Sequence, residues 1–179
     1  MKEAVMVVDM INDFVYDKFG SERAQKIIPN LVKLLKNAEK SDIPIIFARD
    51  YHLEDDPEMD IWGEHAMQDE EGSEIIEELK GFVEELVKKS TYNPFFRTDL
   101  NDILEEKEID RIILTGVSTD ICVQHTAGAA FFRGYDIVVV EDCTEAISEE
   151  KYETAIKYMK DMYGVDISNS KEIIKRWNE

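Results

Sequence analysis

A cysteine in a strand-to-helix turn is the residue of this sequence best suited to covalent chemistry. Cys122 follows a buried-strand pattern at 111–114 and precedes a run of small residues at 126–130. Backbone N–H groups in a first helical turn favour the thiolate, which attacks carbonyl carbon, and they can also hold the resulting oxyanion. The other interpretation is an ordinary packed thiol, since free cysteines are usually buried.

Two further residues could activate such a thiol. Asp9 ends the apolar run 4–8, and Lys89 ends a predicted strand at 84–89. A buried carboxylate can accept the thiol proton, and a nearby ammonium stabilises the charges involved. Alternatively, Asp9 caps a turn and Lys89 is an edge-strand lysine. His125, three residues after Cys122, is a second possible base.

A possible metal site occupies the next stretch of polar residues. Asp50 and His52 follow the buried strand 45–48, and Glu58 and His65 lie in the segment 53–72, which has no helical or alternating periodicity. Two imidazoles with carboxylates suit Zn²⁺, Fe²⁺ or Mn²⁺. Because long loops in compact domains are usually functional, we predict an active-site loop here.

The elements that must position these residues alternate between strand and helix patterns. Such alternation predicts an α/β fold with a mainly parallel sheet between two helical layers, forming one domain over 1–179. Ligands of such sheets bind beyond the carboxyl ends of the strands, where the candidate residues fall. The predicted strands are 4–8, 45–48, 84–89, 111–114, 137–140 and 165–167; the predicted helices are 21–40, starting near Pro29, then 99–106, 126–130, 149–162 and 171–177.

Composition excludes several classes of partner. The 21 basic and 40 acidic side chains give a net charge of −19, so we expect no nucleic-acid binding. No run approaches the length of a membrane span, and the first residues lead directly into a strand, so we expect a soluble cytoplasmic protein without a membrane partner. Two cysteines without a disulfide-rich composition suit a reducing compartment.

Three segments together resemble the isochorismatase-like cysteine hydrolases, and within them the nicotinamidases. The segment 7–14 is similar to their opening strand with its catalytic aspartate, 89–92 to the segment with the catalytic lysine, and 116–127 to the nucleophile segment. The resemblance implies the isochorismatase-like hydrolase fold and a Cys122 thioester, with Asp9 carrying a proton to the leaving ammonia and Lys89 assisting. It also implies a cis peptide bond between Val117 and Ser118.

The same resemblance assigns a metal and a substrate pocket. It implies that a divalent ion, usually zinc, is held at Asp50, His52, Glu58 and His65 and binds the pyridine nitrogen of the substrate. The implied substrate-binding residues are Phe14, Trp62, Tyr92, Val117 and Ser118. Asn93 and Pro94 replace the small residues usual after the tyrosine, which predicts a pocket of altered shape.

Three hypotheses about function therefore stand. The first is a nicotinamidase, which converts nicotinamide to nicotinate and ammonia. The second is a cysteine hydrolase of another small amide, such as a carbamoyl or ureido compound. The third is a non-catalytic metal-binding or ligand-binding module, since a fold alone does not confer function. The resemblance further implies a homodimer or homotetramer, with His125 or the pair Phe131 and Phe132 at the interface.

Overall fold

A six-stranded parallel sheet forms the centre of the protein. The computed structural model describes residues 1–179. The strands lie in the order β3-β2-β1-β4-β5-β6, and every neighbouring pair is parallel. This arrangement confirms the predicted α/β fold. The strands are β1 Glu3–Val8, β2 Ile45–Asp50, β3 Glu85–Lys89, β4 Arg111–Val117, β5 Asp136–Glu145 and β6 Asp166–Ser168.

Eight helices cover the two faces of the sheet. They are α1 Asn12–Val15, α2 Glu22–Lys26, α3 Ile28–Lys40, α4 Met59–Trp62, α5 Leu100–Glu106, α6 Gln124–Phe131, α7 Glu149–Tyr163 and α8 Ser170–Trp177. The apolar residues of α3 and α8 pack on one face, and those of α5, α6 and α7 pack on the other. Strand β1 contributes alternate side chains to both cores, because successive residues of a strand point to opposite faces.

Two predicted segments differ from the structure. The helix predicted over 21–40 is interrupted at Ile27, so that α2 and α3 are separate, and Pro29 lies in the first turn of α3, where its missing N–H costs nothing. The segment 53–72, predicted to be an active-site loop, also contains the short helix α4. With four residues, α4 is too short to produce a periodic pattern. No helix of the chain combines the length and the apolarity that crossing a bilayer requires.

The sheet has its topological switch point between β1 and β4. From this pair the chain order runs to β2 and β3 on one side and to β5 and β6 on the other. Such a point opens a crevice beyond the carboxyl ends of the two strands. Asp9 directly follows β1, with a left-handed φ of 52°, and the turn with Cys122 follows β4.

Candidate active site

The turn with Cys122 is a π-helical turn that joins β4 to α6. It spans Thr119–Val123 and is preceded by a cis peptide bond between Val117 and Ser118, which confirms that expectation. The N–H groups of Ile121 and Val123 each donate to the Ser118 carbonyl at 3.1 Å. Cys122 therefore lies between two residues whose N–H groups are already bonded.

Lys89 forms the centre of a buried charged cluster with the thiol. Its Nζ is 2.8 Å from Asp9 Oδ2 and 3.8 Å from Cys122 Sγ, and it also contacts Asp50 Oδ1. A carboxylate oxygen of Asp9, a carboxylate oxygen of Asp50 and the sulfur of Cys122 lie within 4.8 Å of one another. The structure thus brings Asp9, Lys89 and Cys122 together, although their strands are separated in the sequence. The Lys89 ammonium contacts both carboxylates, so this cluster contains a cation of its own.

Burial and charge set the protonation of this cluster. Burial, reinforced by Asp50, raises the pKa of Asp9 to about 6, while Lys89 opposes the rise. Burial lowers the pKa of Lys89, but the Asp50 and Asp9 carboxylates outweigh it and the pKa is raised well above its usual value. At neutral pH the cluster therefore contains an ammonium ion and an ionised base.

The thiol of Cys122 differs electrostatically from what its turn suggested. We expected backbone N–H groups to favour the thiolate, but burial raises the pKa of Cys122 well above its usual value despite the nearby ammonium of Lys89. The N–H groups of one turn do not compensate for the burial of Cys122, a residue that is only 5% exposed. The resting thiol is protonated, so its attack on a carbonyl needs a base in contact with it.

The four predicted metal ligands converge beside this cluster. One atom from each of Asp50, His52, Glu58 and His65 lies within 4.8 Å of the others, and all four residues are buried. His52 Nε2 is 3.5 Å from Asp50 Oδ2 and 3.6 Å from Glu58 Oε2, and His65 Nε2 is 3.8 Å from the same Glu58 oxygen. Asp50 is the last residue of β2, and the other three ligands lie in the segment that follows. His52 comes before α4, Glu58 immediately precedes it, and His65 follows it.

The second nitrogen of each imidazole is held by an outer partner. His52 Nδ1 lies 3.0 Å from Asp56 Oδ2, and His65 Nδ1 lies 2.7 Å from the Gly63 carbonyl oxygen. Both Nε2 atoms therefore face the cluster, as in histidines that bind metals. His52 Nε2 and Glu58 Oε1 are buried without a hydrogen-bond partner. Since buried polar atoms are normally paired, the donor set fits a divalent ion such as zinc.

A cavity of about 340 Å³ is lined by Cys122 and by three of the predicted metal ligands, Asp50, Glu58 and His65. Its walls include every predicted substrate-binding residue: Phe14, Trp62, Tyr92, Val117 and Ser118. Trp62 Nε1 donates a hydrogen bond to Tyr92 Oη at 2.8 Å, which joins the metal loop to the segment after β3. Most of the wall is apolar, which suits a small, largely uncharged substrate.

Sequence reasoning missed several residues of this site. Phe19, Asp120 and Lys151 also line the cavity. Asp120 Oδ1 accepts a hydrogen bond from Ser118 Oγ at 2.6 Å, and Lys151 Nζ lies 3.8 Å from Asp120 Oδ2. The position of Asp120 two residues before Cys122 was a usable signal, whereas nothing in the sequence relates Phe19 or Lys151 to the turn.

The residues predicted at an interface lie outside the cavity. His125 Nδ1 is 2.7 Å from the Ile121 carbonyl oxygen, and its ring lies 5.3 Å from that of Tyr92. The charged cluster around Cys122 contains no contact from His125, so the base is better sought in Asp9. Phe131 and Phe132 are exposed, at 45% and 76%. Their role in assembly stays a prediction.

Comparison with known proteins gives a consistent set of relatives. A family model described as an isochorismatase domain matches residues 3–171. The chain is 36% identical to the N-carbamoylsarcosine amidase of Thermoplasma acidophilum, with a TM-score of 0.88 and coverage of 95% of this chain and 97% of that one. It is 31% identical to nicotinamidase 3 of Arabidopsis thaliana over 86% of this chain and 78% of the relative. The pyrazinamidase of Pyrococcus horikoshii, solved in complex with zinc, is 28% identical, with a TM-score of 0.86 and coverage of 94% and 99%.

Proposed function

The chain belongs to the isochorismatase family, and from this premise we propose that it is a cysteine amidohydrolase that converts nicotinamide to nicotinate and ammonia. The observation that carries the proposal is the position of the thiol. Cys122 Sγ lies at an apolar cavity, in contact with the ammonium of Lys89 and close to the carboxylate of Asp9, and the His65 imidazole lines the same cavity. These are the parts that an amide hydrolase with a thiol nucleophile needs.

In the first step, Cys122 Sγ attacks the amide carbonyl carbon while Asp9 accepts the thiol proton. Asp9 is suited to this step because its pKa of about 6 leaves it ionised at neutral pH, while the thiol is protonated. Lys89 keeps the carboxylate in place and stabilises negative charge on sulfur as it develops. Because the neighbouring N–H groups already bond Ser118, we assign the oxyanion donor of this turn to the N–H of Cys122.

In the second step, Asp9 passes its proton to the amide nitrogen, the C–N bond breaks, and ammonia leaves. The acyl group remains on Cys122 as a thioester. A water molecule then attacks the thioester carbon while Asp9 accepts its proton. As the C–S bond breaks, Asp9 returns that proton to the Cys122 sulfur, which leaves the acid product, the free thiol and an ionised Asp9. The Asp9 carboxylate thus serves as base and acid in turn and carries out every proton transfer of the proposed reaction.

The metal cluster has an orienting role in this proposal. Asp50, His52, Glu58 and His65 would hold a divalent ion, which when bound supplies a Lewis acid for the ring nitrogen of a pyridine amide. Phe14 and Trp62 then border the aromatic ring, and Tyr92 keeps Trp62 in place through its hydroxyl. These contacts direct the amide towards Cys122.

Ammonia release from nicotinamide by zinc-supplemented protein tests this function. We expect turnover by the unaltered chain and none by Cys122→Ala, with Cys143→Ala as the matched thiol control because Cys143 is fully buried away from the cavity. Rapid acid quenching followed by mass spectrometry should reveal a nicotinoyl group on Cys122. Absence of ammonia with zinc supplied would exclude nicotinamide as the substrate.

A second substrate class is favoured by one residue and one relative. Lys151 supplies a cation to the cavity wall, where its side chain is 48% exposed, and the amidase at 36% identity is named for a carbamoyl amino acid. Such a molecule carries a carboxylate, which nicotinamide lacks. Assay of an N-carbamoyl amino acid with the unaltered chain and Lys151→Met decides between them. A KM that rises in Lys151→Met for the carboxylate substrate alone supports the carbamoyl class.

Assembly into a homodimer or homotetramer completes the proposal. Light scattering at several protein concentrations measures the mass of the assembly. A monomer at every concentration would overturn this part and leave the proposed chemistry untouched.

A further inference from the structure

Asp13 lies four residues after Asp9 and has no part in the chemistry described above. Its carboxylate accepts a hydrogen bond from the N–H of Ala66 at 2.7 Å, across a separation of 53 residues. Ala66 is the residue directly after the metal-ligand histidine His65. We propose that Asp13 is a positioning residue that fixes the direction of His65, and with it the metal affinity of the cluster. The inference rests on the proposed metal site.

The peptide groups on both sides of Ala66 are held. Its N–H donates to Asp13, and its carbonyl accepts the N–H of His52 at 2.9 Å. Ala66 is fully buried and has a φ of 44°, in the left-handed region that a residue other than glycine adopts only when its surroundings determine it. Ala66 thus links the turn after β1, through Asp13, to the end of β2, through His52. His65 directly precedes it, so both candidate metal-ligand histidines are attached to this residue.

Gly72 shows how closely the carboxylate fits. A Cβ at this position would lie 2.4 to 2.6 Å from the three carboxyl atoms of Asp13, closer than side-chain carbons ever approach. The φ of Gly72 is outside the left-handed region, so its backbone does not itself require glycine. Glycine is needed here to leave room for the carboxylate.

The far end of the same loop is tethered independently. Asn12 N donates to the Glu74 carbonyl at 3.0 Å, and Asn12 Nδ2 donates to the Glu71 carbonyl at 2.9 Å. Ile11 and Ile75 form an antiparallel bridge. Loss of the Asp13 carboxylate therefore frees the part of the loop next to His65 and leaves the part around residues 71–75 attached.

The zinc dissociation constant, measured by competition with a chromogenic chelator, tests the proposal. We expect Asp13→Ala to weaken zinc binding about 10-fold, the lower end of the range for loss of a direct outer partner, because Asp13 bonds the peptide next to His65 and not its ring. Asp13→Asn should lose less, because its amide oxygen can still accept the Ala66 N–H. Hydrogen exchange at the Ala66 amide, followed in the presence of a chelator, should accelerate in Asp13→Ala.

A double-mutant cycle separates this role from general stability. Gly72→Ala should weaken zinc binding because its methyl group displaces the carboxylate, yet it should add nothing in an Asp13→Ala background, where the carboxylate is gone. Gly81→Ala is the matched control, because a Cβ there meets nothing within 4 Å. Unfolding midpoints measured with a chelator present identify any variant that fails to fold. If Asp13→Ala is such a variant, the zinc affinities of Asp13→Asn and Gly72→Ala test the proposal instead.

Three outcomes would overturn the inference. Zinc binding in Asp13→Ala as tight as in the unaltered chain refutes it while the metal site stands. If the double variant loses zinc affinity by the product of the two single losses, the variants act independently, and the idea that both act through the Asp13 carboxylate is refuted. An unaltered chain that binds no zinc refutes the metal site and this inference together.

Discussion

Replacement of Lys89 by methionine should destabilise the protein severely. Lys89, Asp9 and Asp50 are each at most 1% exposed, and Lys89 Nζ is 2.8 Å from Asp9 Oδ2 and in contact with Asp50. Methionine has a similar volume, so the change removes a charge without leaving a large cavity. Two carboxylates then remain buried without their counter-ion.

The size of the effect follows from the geometry. At the 2.8 Å separation of Lys89 and Asp9 and an effective dielectric constant near 20, this one ion contact is worth about 6 kcal/mol before desolvation is counted. Desolvation of the ions offsets most of this, and removal of one partner from a buried pair typically costs about 3–5 kcal/mol. For a chain of 179 residues that loss corresponds to a fall of about 6–20 °C in the unfolding midpoint.

Urea unfolding followed by circular dichroism, with a chelator present so that metal binding adds no stability, measures the change. Lys157→Met is the control, because its pair with Asp161 is exposed, at 78% and 49%, and should contribute less than about 1 kcal/mol. Addition of Asp9→Asn to Lys89→Met should restore part of the loss, since one uncompensated charge disappears. A Lys89→Met protein within about 1 kcal/mol of the unaltered chain would falsify the electrostatic account of the cluster.

Three other results are expected. Iodoacetamide should modify Cys122 slowly at pH 6 and faster as the pH rises, because the pKa of this thiol is raised. The buried Cys143 should react only after unfolding. A modification rate of Cys122 that is already at its plateau at pH 6 would contradict the raised pKa. Asp56→Ala should weaken zinc binding about 10-fold to 100-fold by releasing an imidazole, whereas the exposed neighbour Asp55→Ala should not, as chelator competition would reveal. Gly116→Ala should have an unfolding midpoint lower by several degrees and should lose turnover. The new Cβ would lie 2.0 Å from the Val8 carbonyl oxygen of β1, and the φ of 101° disfavours a side chain. An unchanged midpoint would mean that β1 and β4 can separate freely at this point.

The positions of the strands and their polar ends could be predicted because both signals are local. Runs of apolar residues mark most of the strands, and Asp9 and Cys122 come after two of them, whereas Lys89 is the last residue of the more polar β3. Parallel strands end at one rim of the sheet, so the approximate meeting place was predictable. The order of the strands was not. Lys89 belongs to an edge strand, and β2 lies between it and β1, so only a long side chain reaches Asp9 from there.

Properties that depend on packing could not be predicted. The four candidate metal ligands could be named from their residue types, but the bond from Asp56 to His52 requires a loop conformation that no periodicity reports. The same is true of Asp13, whose partner lies 53 residues away. For Cys122, the local turn favours a thiolate, whereas the depth of burial, which depends on the whole fold, favours the thiol.

Asp50 has one carboxylate oxygen on each side of the site. Its Oδ1 contacts Lys89, and its Oδ2 lies 3.5 Å from His52 Nε2. The other groups that would orient a substrate through a metal come from the single stretch 52–65, while the bond-cutting groups come from three separate strands. In the proposed mechanism, metal binding and amide cleavage therefore depend on different parts of the chain that share the Asp50 side chain. Exchange of residues 52–65 for those of a relative should alter the metal site and leave Asp9, Lys89 and Cys122 in place.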